Sequence, residues 1–143
     1  MDNLSYIGLG SNLKTPYRQL KIAIDNLKKI PYTTIVNVSN FYFNKAIGRK
    51  IQPDFYNAVV ALQTTIGPKK LLFYCQIIEL KQKRKRNIRW QSRTIDIDIL
   101  FFKSIKINEK KLTIPHPRIY SRDFVIKPLL EIAPHFKIYF SNK

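Results

Sequence analysis

One short segment of the chain combines a strict apolar alternation with charged residues. Ile95, Ile97 and Ile99 alternate with Asp96 and Asp98. Successive side chains of a strand point to opposite faces of a sheet, so this pattern predicts a strand with one buried and one acidic face. Alternate residues of a strand are roughly 6.5–7 Å apart, which lets two carboxylates approach one ligand. Carboxylate oxygens suit Mg²⁺, which one or two carboxylates and substrate phosphates commonly hold.

The segment directly before this strand is rich in arginine. It contains Arg84, Arg86, Arg89 and Arg93. Guanidinium groups bind phosphate oxygens through paired hydrogen bonds and stay charged. Carboxylates for a metal beside arginines for phosphates are what phosphoryl or pyrophosphoryl transfer requires. Two other interpretations stay open: the acids can be the solvated face of a sheet, and the basic run can be a solvated loop or a nucleic-acid patch. Trp90 either anchors this segment on the core or covers a ligand as part of a lid.

Size and composition set broad limits. The chain has 143 residues, 45% of them hydrophobic, which predicts one globular domain over residues 1–143. Its net charge of +17 favours anionic partners, although a general excess of lysine also explains it.

Cys75 is the single cysteine, so no internal disulfide can form. The first residues lack the basic and apolar run of a signal peptide, and no apolar run is long enough to span a membrane. We therefore expect a cytoplasmic protein.

The order of the predicted elements indicates the fold class. The first helix should begin with Thr15 as its N-cap and Pro16 at its first position. The apolar patterns predict strands over 4–9, 35–43, 55–65 and 94–102, helices over 16–29 and from 67 to 83, a short final helix, and an edge strand over 136–140. This order is the β-α-β-β-α-β ferredoxin-like arrangement, an α+β fold with a mostly antiparallel sheet and helices on one face.

Two motifs carry more information than the fold class. They are Arg93-Thr94-Ile95-Asp96-Ile97-Asp98 and Ile114-Pro115-His116-Pro117, and further segments such as Gly10-Ser11-Asn12-Leu13 and Gln52-Pro53-Asp54-Phe55-Tyr56-Asn57 accompany them. Together they resemble the 6-hydroxymethyl-7,8-dihydropterin pyrophosphokinases of folate biosynthesis. The resemblance extends from Tyr6 to Pro134, which is most of the chain.

The resemblance implies a reaction and a set of catalytic residues. The reaction would transfer pyrophosphate from ATP to the hydroxymethyl group of the pterin and release AMP. Asp96 and Asp98 would hold two Mg²⁺ ions. Arg84 and Arg93 would stabilise the transferring phosphates. Arg86, Arg89 and Trp90 would belong to the loop that closes over the nucleotide.

The resemblance also implies residues for each substrate. His116 and Arg122 would contact the nucleotide, and Gln76 and Ile99 would line its site. Phe55, Asn57 and Phe124, with backbone near Ile47, would hold the pterin. A flat heteroaromatic ring stacks well on aromatic side chains, and an Asn offers both donors and an acceptor to its edge. The implied partners are these small molecules alone, with no nucleic acid and no membrane, and we expect a monomer.

Two other functions remain possible at this stage. A ferredoxin-like sheet on a chain of net charge +17 could bind RNA. Against this, no strand carries the basic and aromatic signature of RNA-binding sheets, and the acids of strand 94–102 would repel phosphate without a metal. A degenerate copy could instead keep the fold and lack activity. Mg²⁺-dependent ATP binding would separate the enzyme from the RNA-binding protein.

Overall fold

The computed structural model describes residues 2–11, 15–44, 55–83 and 95–141. In these parts of the chain five strands form one antiparallel sheet: β1 (Ser5–Ser11), β2 (Thr33–Val38), β3 (Tyr42–Asn44), β4 (Phe55–Thr64) and β5 (Asp96–Phe102). Their order is β2-β4-β1-β5, and β3 pairs with the first residues of β4. A small second sheet consists of β6 (Ile107–Asn108) and β7 (Thr113–Ile114). The predicted ferredoxin-like α+β class is confirmed.

Helices cover both faces of the large sheet, so the prediction of helices on one face only is wrong. They are α1 (Pro16–Leu27), α2 (Pro68–Lys83), α3 (Asp123–Ile132) and α4 (Lys137–Ser141), with 3-10 turns at Ile119–Ser121 and Pro134–Phe136. The helices α1 and α2 pack on the first face, as the fold class requires, through buried apolar residues that include Leu20, Leu27, Leu71, Cys75, Ile7, Leu9, Ile97 and Ile99. Burying this many apolar side chains is the main force that stabilises the fold. No helix in the described part of the chain is long and apolar enough to cross a membrane.

The second face of the sheet carries α3. Val125 and Leu129 of this helix belong to the same buried cluster as Tyr6, Val59 and Phe101 of the sheet. Because Asp96 and Asp98 alternate with the isoleucines of the first face, their side chains belong to this second face. The helix α3 therefore lies on the same side of the sheet as the predicted metal ligands.

The predicted strand 35–43 is in fact two strands, β2 and β3. The Val59 N–H donates to Ser39 Oγ at 2.9 Å, and the Asn40 N–H donates to Glu131 Oε1 at 3.0 Å. Because side chains accept these backbone hydrogen bonds, regular pairing stops after Val38 and resumes at Tyr42. One of the two acceptors comes from α3, so the sequence around residue 40 could not reveal the break.

One local prediction is wrong. Residues 136–140 form a 3-10 turn and α4 rather than an edge strand. The Phe136 ring stacks on Phe101 at 4.3 Å, and the Tyr139 ring meets Phe101 edge-on at 5.3 Å. Residues three apart share a helix face but lie on opposite faces of a strand, so packing on Phe101 selects the helix. The predicted start of α1 is confirmed, because Thr15 is its N-cap residue and Pro16 its first position. Thr15 has a left-handed conformation, with φ of 59°, and its side chain makes no capping hydrogen bond.

Candidate active site

A row of residues crosses four strands on the second face of the sheet. From one side to the other it contains Tyr42 of β3, Asn57 of β4, Gly10 of β1 and Asp96 of β5. Residues directly opposite each other in antiparallel strands place their side chains on the same face. The next row places Gly8 opposite Asp98. The two glycines of β1 thus form a strip that carries no side chains of its own, and the Asn57 and Leu100 side chains reach over Gly10 and Gly8 respectively.

The two acids are held on a rigid base. Asp96 is exposed and the Asp98 side chain is 39% exposed, while the neighbouring Ile97 is buried. The Ile97 N–H donates to Glu79 Oε2 of α2 at 2.8 Å. This hydrogen bond fixes the peptide between the two acids against α2. Their carboxylates therefore project from a strand whose backbone is anchored on both sides.

Two cationic or ionisable side chains approach Asp98. Arg122 Nη1 lies 3.4 Å from Asp98 Oδ2, and His116 Nε2 lies 4.0 Å from Asp98 Oδ1. The Arg122 guanidinium also lies over the Phe124 ring, 5.8 Å from its centroid. The structure therefore brings the predicted nucleotide contacts His116 and Arg122 to Asp98, one of the two predicted metal ligands.

The chemistry of His116 follows from its contacts. Its ring Nδ1 accepts a hydrogen bond from the Arg118 N–H at 3.2 Å, which places the proton of a neutral ring on Nε2, the atom that faces Asp98. Burial lowers the pKa of His116. The Asp98 carboxylate opposes this shift, and the charges of Arg122 and Arg118 reinforce it, so the pKa lies below the ordinary value. At neutral pH His116 is therefore a neutral donor through Nε2.

A cleft of about 250 Å³ lies beside these residues. Asp98, Ile99 and His116 line it together with Leu72, Leu112 and the lysines of the β6–β7 connection, Lys110 and Lys111. Gln76 is exposed and lies one helical turn after Leu72, so the two residues share a face of α2. The sequence prediction missed the two lysines. Only the turn between β6 and β7 brings them to the cleft, and a Lys-Lys pair in a lysine-rich chain gave no separate signal.

The residues predicted for the pterin lie on the other side of the strip. The Phe55 and Phe124 rings meet edge to face, with centroids 5.6 Å apart and an interplanar angle of 88°. Asn57 is only 6% exposed, and its Nδ2 donates to the Leu9 carbonyl at 3.4 Å. The structure thus brings Phe55, Asn57 and Phe124 together. Because the two rings touch, one of them must turn before a flat ligand can lie between them.

Several predicted site residues lie outside the described residues. They are Ile47, Arg84, Arg86, Arg89, Trp90 and Arg93. Their assignments stay predictions.

The carboxylates available as metal ligands suit Mg²⁺. Among the residues that the structure describes, no group of three or more His, Cys, Asp and Glu side chains is arranged to hold a metal. Mg²⁺ differs from zinc in that one or two carboxylates suffice when substrate phosphates supply further oxygens. Asp96 and Asp98, on alternate positions of one strand, provide such a pair.

Comparison with known proteins decides the family. The family model of 7,8-dihydro-6-hydroxymethylpterin-pyrophosphokinase, HPPK, matches residues 6–134. The chain belongs to this family. A Haemophilus influenzae protein named 2-amino-4-hydroxy-6-hydroxymethyldihydropteridine pyrophosphokinase is 46% identical to it over 129 residues, which cover 90% of this chain and 81% of that protein. A Pseudomonas aeruginosa protein of the same name is 41% identical over 133 residues, covering 93% of this chain and 82% of that protein. The predicted HPPK family and enzyme class are confirmed.

Solved structures support the fold independently. A Plasmodium falciparum HPPK-DHPS structure superimposes with a TM-score of 0.70 at 17% sequence identity. The match covers 94% of the present chain, which spans 40% of that longer chain. At this identity the likeness concerns the HPPK fold alone.

Proposed function

We propose that this HPPK transfers pyrophosphate from ATP to the hydroxymethyl group of 6-hydroxymethyl-7,8-dihydropterin and releases AMP. The observation that carries the proposal is the row across the sheet, in which Gly10 separates Asp96 from Asn57. A carboxylate pair on one side of the glycine strip and an aromatic, hydrogen-bonding pocket on the other suit a reaction between a triphosphate and a flat ring. Both substrates would be small molecules.

The carboxylates would bind Mg²⁺. Asp96 and Asp98 would hold the metal, with two ions expected from the family resemblance. Bound there, Mg²⁺ would neutralise charge on the triphosphate and so favour attack on it. The strand itself supplies rigidity, because the buried Ile97 and its hydrogen bond to Glu79 keep both acids in place. Fixed charges cost little reorganisation during the reaction.

The nucleotide would occupy the cleft beside β5. Ile99 and Gln76 would line the site, and His116 would donate through Nε2 to a phosphate oxygen or the ribose. Arg122 now pairs with Asp98, so metal binding at Asp98 would free its guanidinium for a phosphate. Lys110 and Lys111, which line the same cleft, add positive charge.

The arginine-rich segment would complete the site. We assign Arg84 and Arg93 to the transferring phosphates, and Arg86, Arg89 and Trp90 to a covering loop. These roles come from the family resemblance. The position of Arg93 in the sequence, three residues before Asp96, supports its share of them.

The pterin would bind between Phe55 and Phe124. The Asn57 side chain would hydrogen-bond the edge of the ring, with backbone near Ile47 contributing further contacts. The hydroxymethyl oxygen would then face the strip of β1 and attack the β-phosphorus of ATP. The bond from this phosphorus to the AMP oxygen breaks, and the hydroxyl proton leaves to solvent.

One assay tests the function directly. The purified protein with ATP and Mg²⁺ should release AMP only when the hydroxymethylpterin is added. Asp96→Asn or Asp98→Asn should lower turnover by at least about 10²-fold, since each loses a charged metal ligand, while the melting temperature stays close to that of the wild type. AMP release independent of the pterin, or near-normal turnover in either variant at ordinary Mg²⁺, would contradict the assignment.

A further inference from the structure

The helix α3 connects the two substrate sides of the site. At its N-terminal end Arg122 pairs with Asp98, and Phe124 contacts Phe55. At its C-terminal end Glu131 reaches the connection between β2 and β3. Glu131 is the seventh residue after Phe124, which corresponds to a rise of roughly 10 Å along a helix. Pro128 cannot donate a helical hydrogen bond to the Phe124 carbonyl, but the buried Val125 and Leu129 hold this short helix against the sheet, so a contact at Glu131 can act on the position of Phe124.

Glu131 receives several hydrogen bonds from one segment. Its Oε1 accepts from the Asn40 N–H at 3.0 Å and from Tyr42 Oη at 2.8 Å. Its Oε2 accepts from Asn40 Nδ2 at 3.1 Å. The hydrogen bond to Glu131 also raises the pKa of Tyr42. An exposed ion pair contributes little, but a carboxylate with three donors from one segment defines a single arrangement of that segment.

The segment held by Glu131 adjoins the pterin pocket. Tyr42 lies directly opposite Asn57 in the pairing of β3 with β4. Glu131 thus ties the strand beside Asn57 to the helix that carries Phe124. Binding sites require their contacting groups to be held within about 0.5 Å, so this link can govern how well the pocket fits a ring.

We propose that Glu131 is a positioning residue for the pterin, which fixes β3 against α3 and so sets the spacing between Asn57 and Phe124. The inference rests on the proposed function. Glu131 touches neither substrate in this role. Its loss should loosen the pterin pocket and leave the nucleotide cleft largely intact, because α2, β5 and the β6–β7 connection line that cleft and α3 adds only Arg122 at its start.

Binding measurements on three variants test the proposal. Glu131→Ala should raise the Kd and KM for the pterin about tenfold, equivalent to ~1.4 kcal/mol, with kcat at saturation and the Kd of a non-reacting ATP analogue within about twofold of the wild type. Glu131→Gln keeps one acceptor oxygen, so its Kd and KM for the pterin should lie between those of the wild type and those of Glu131→Ala. Tyr42→Phe should weaken pterin binding, and adding it to Glu131→Ala should change nothing more, because the hydroxyl acts through Glu131.

A matched control separates positioning from general stability. Asp25 is an exposed acid with one surface ion pair, to Lys28 at 3.8 Å, so Asp25→Asn should bind both ligands normally. If Glu131→Ala fails to fold, Glu131→Gln and Tyr42→Phe carry the test. Equal weakening of both ligands, or a lower melting temperature with unchanged pterin binding, would overturn the proposal. A wild type that neither binds the pterin nor releases AMP would refute the proposed function instead.

Discussion

Gly10 and Asn57 leave no room between them for one more carbon atom. A Cβ built on Gly10 would lie 2.8 Å from Asn57 Nδ2, closer than real Cβ contacts come. Asn57 is buried and donates to the Leu9 carbonyl, so its side chain cannot move aside without leaving that acceptor. A close approach of one side chain, rather than a turn, is the reason for glycine at this position.

Gly10→Ala should therefore impair both stability and pterin binding. Displacing Asn57 should cost roughly 1–3 kcal/mol of unfolding free energy, the range for a buried polar group that loses its partner. Calorimetry should show pterin affinity falling more than nucleotide affinity. Gly67→Ala is the control, because a Cβ at Gly67 meets no atom within 4 Å. Normal pterin binding by Gly10→Ala would show that Asn57 tolerates the extra carbon and that the contact is not a constraint.

The site residues differ in whether a local sequence pattern predicts them or only the tertiary structure brings them to the site. Asp96 and Asp98 were found because the alternation with buried isoleucines lies within one strand. Gly10 belongs to one of the family motifs, but the reason for a glycine there depends on Asn57, which is distant along the chain and becomes its neighbour only through strand pairing. Lys110 and Lys111 reach the cleft through a turn whose position no local pattern predicted.

At the scale of elements, the spacing of apolar residues along the chain predicts the helices and strands that bury one face. The strand β5 and the helix α1 each bury the residues that their spacing selects. The spacing of the aromatic residues over 136–140 fits both the strand period and the helix period, and only their contact with Phe101 selects the helix. The break between β2 and β3 depends on Glu131 in α3, so it belongs to tertiary structure rather than to the sequence of that strand.

The connection between α1 and β2 contains a strained residue. Tyr32 has φ of 57° and its side chain is 80% exposed, while its carbonyl accepts from the Thr65 N–H at 3.2 Å. Asn tolerates this left-handed conformation better than Tyr. Tyr32→Asn should raise the unfolding free energy by about 0.5–1 kcal/mol, a fraction of the left-handed penalty, with unchanged AMP release. Urea titration measures this change, and a destabilised variant would mean that the ring contributes more than the strain costs.

At the scale of the whole molecule, the two ends of the described chain meet on Asp2. Its carboxylate accepts from Tyr6 Oη at 2.7 Å and from the Leu4 N–H at 3.1 Å, and it lies 2.6 Å from His135 Nε2. His135 precedes Phe136, which stacks on Phe101 of β5. Asp2 therefore links the start of β1 to the C-terminal turn and to the second-face core.

Because of this link, the stability of the fold should depend on pH in the acid range. Burial alone would raise the pKa of Asp2, but the hydrogen bonds from Tyr6, Leu4 and His135, with the charge of His135, lower it below its ordinary value of 3.8. A carboxylate with a lowered pKa stabilises the fold above its unfolded pKa and loses this effect as the pH falls through the folded pKa. The stabilisation should be complete at neutral pH and fade below about pH 4.

Asp2→Asn tests this dependence. At pH 7 the variant should be less stable by about 1.5–3 kcal/mol, the range for hydrogen bonds to a charged group, and the difference in unfolding free energy should narrow as the pH falls from about 4 to about 2. A net charge of +17 makes the whole protein acid-sensitive, so the informative quantity is the difference between variant and wild type at each pH, measured by urea unfolding. Asp25→Asn removes only a surface ion pair with Lys28, so its unfolding free energy should change with pH in the same way as that of the wild type. A gap for Asp2→Asn that stays constant from pH 7 to 2 would mean that the shape of this side chain, and not its charge, holds the two ends together.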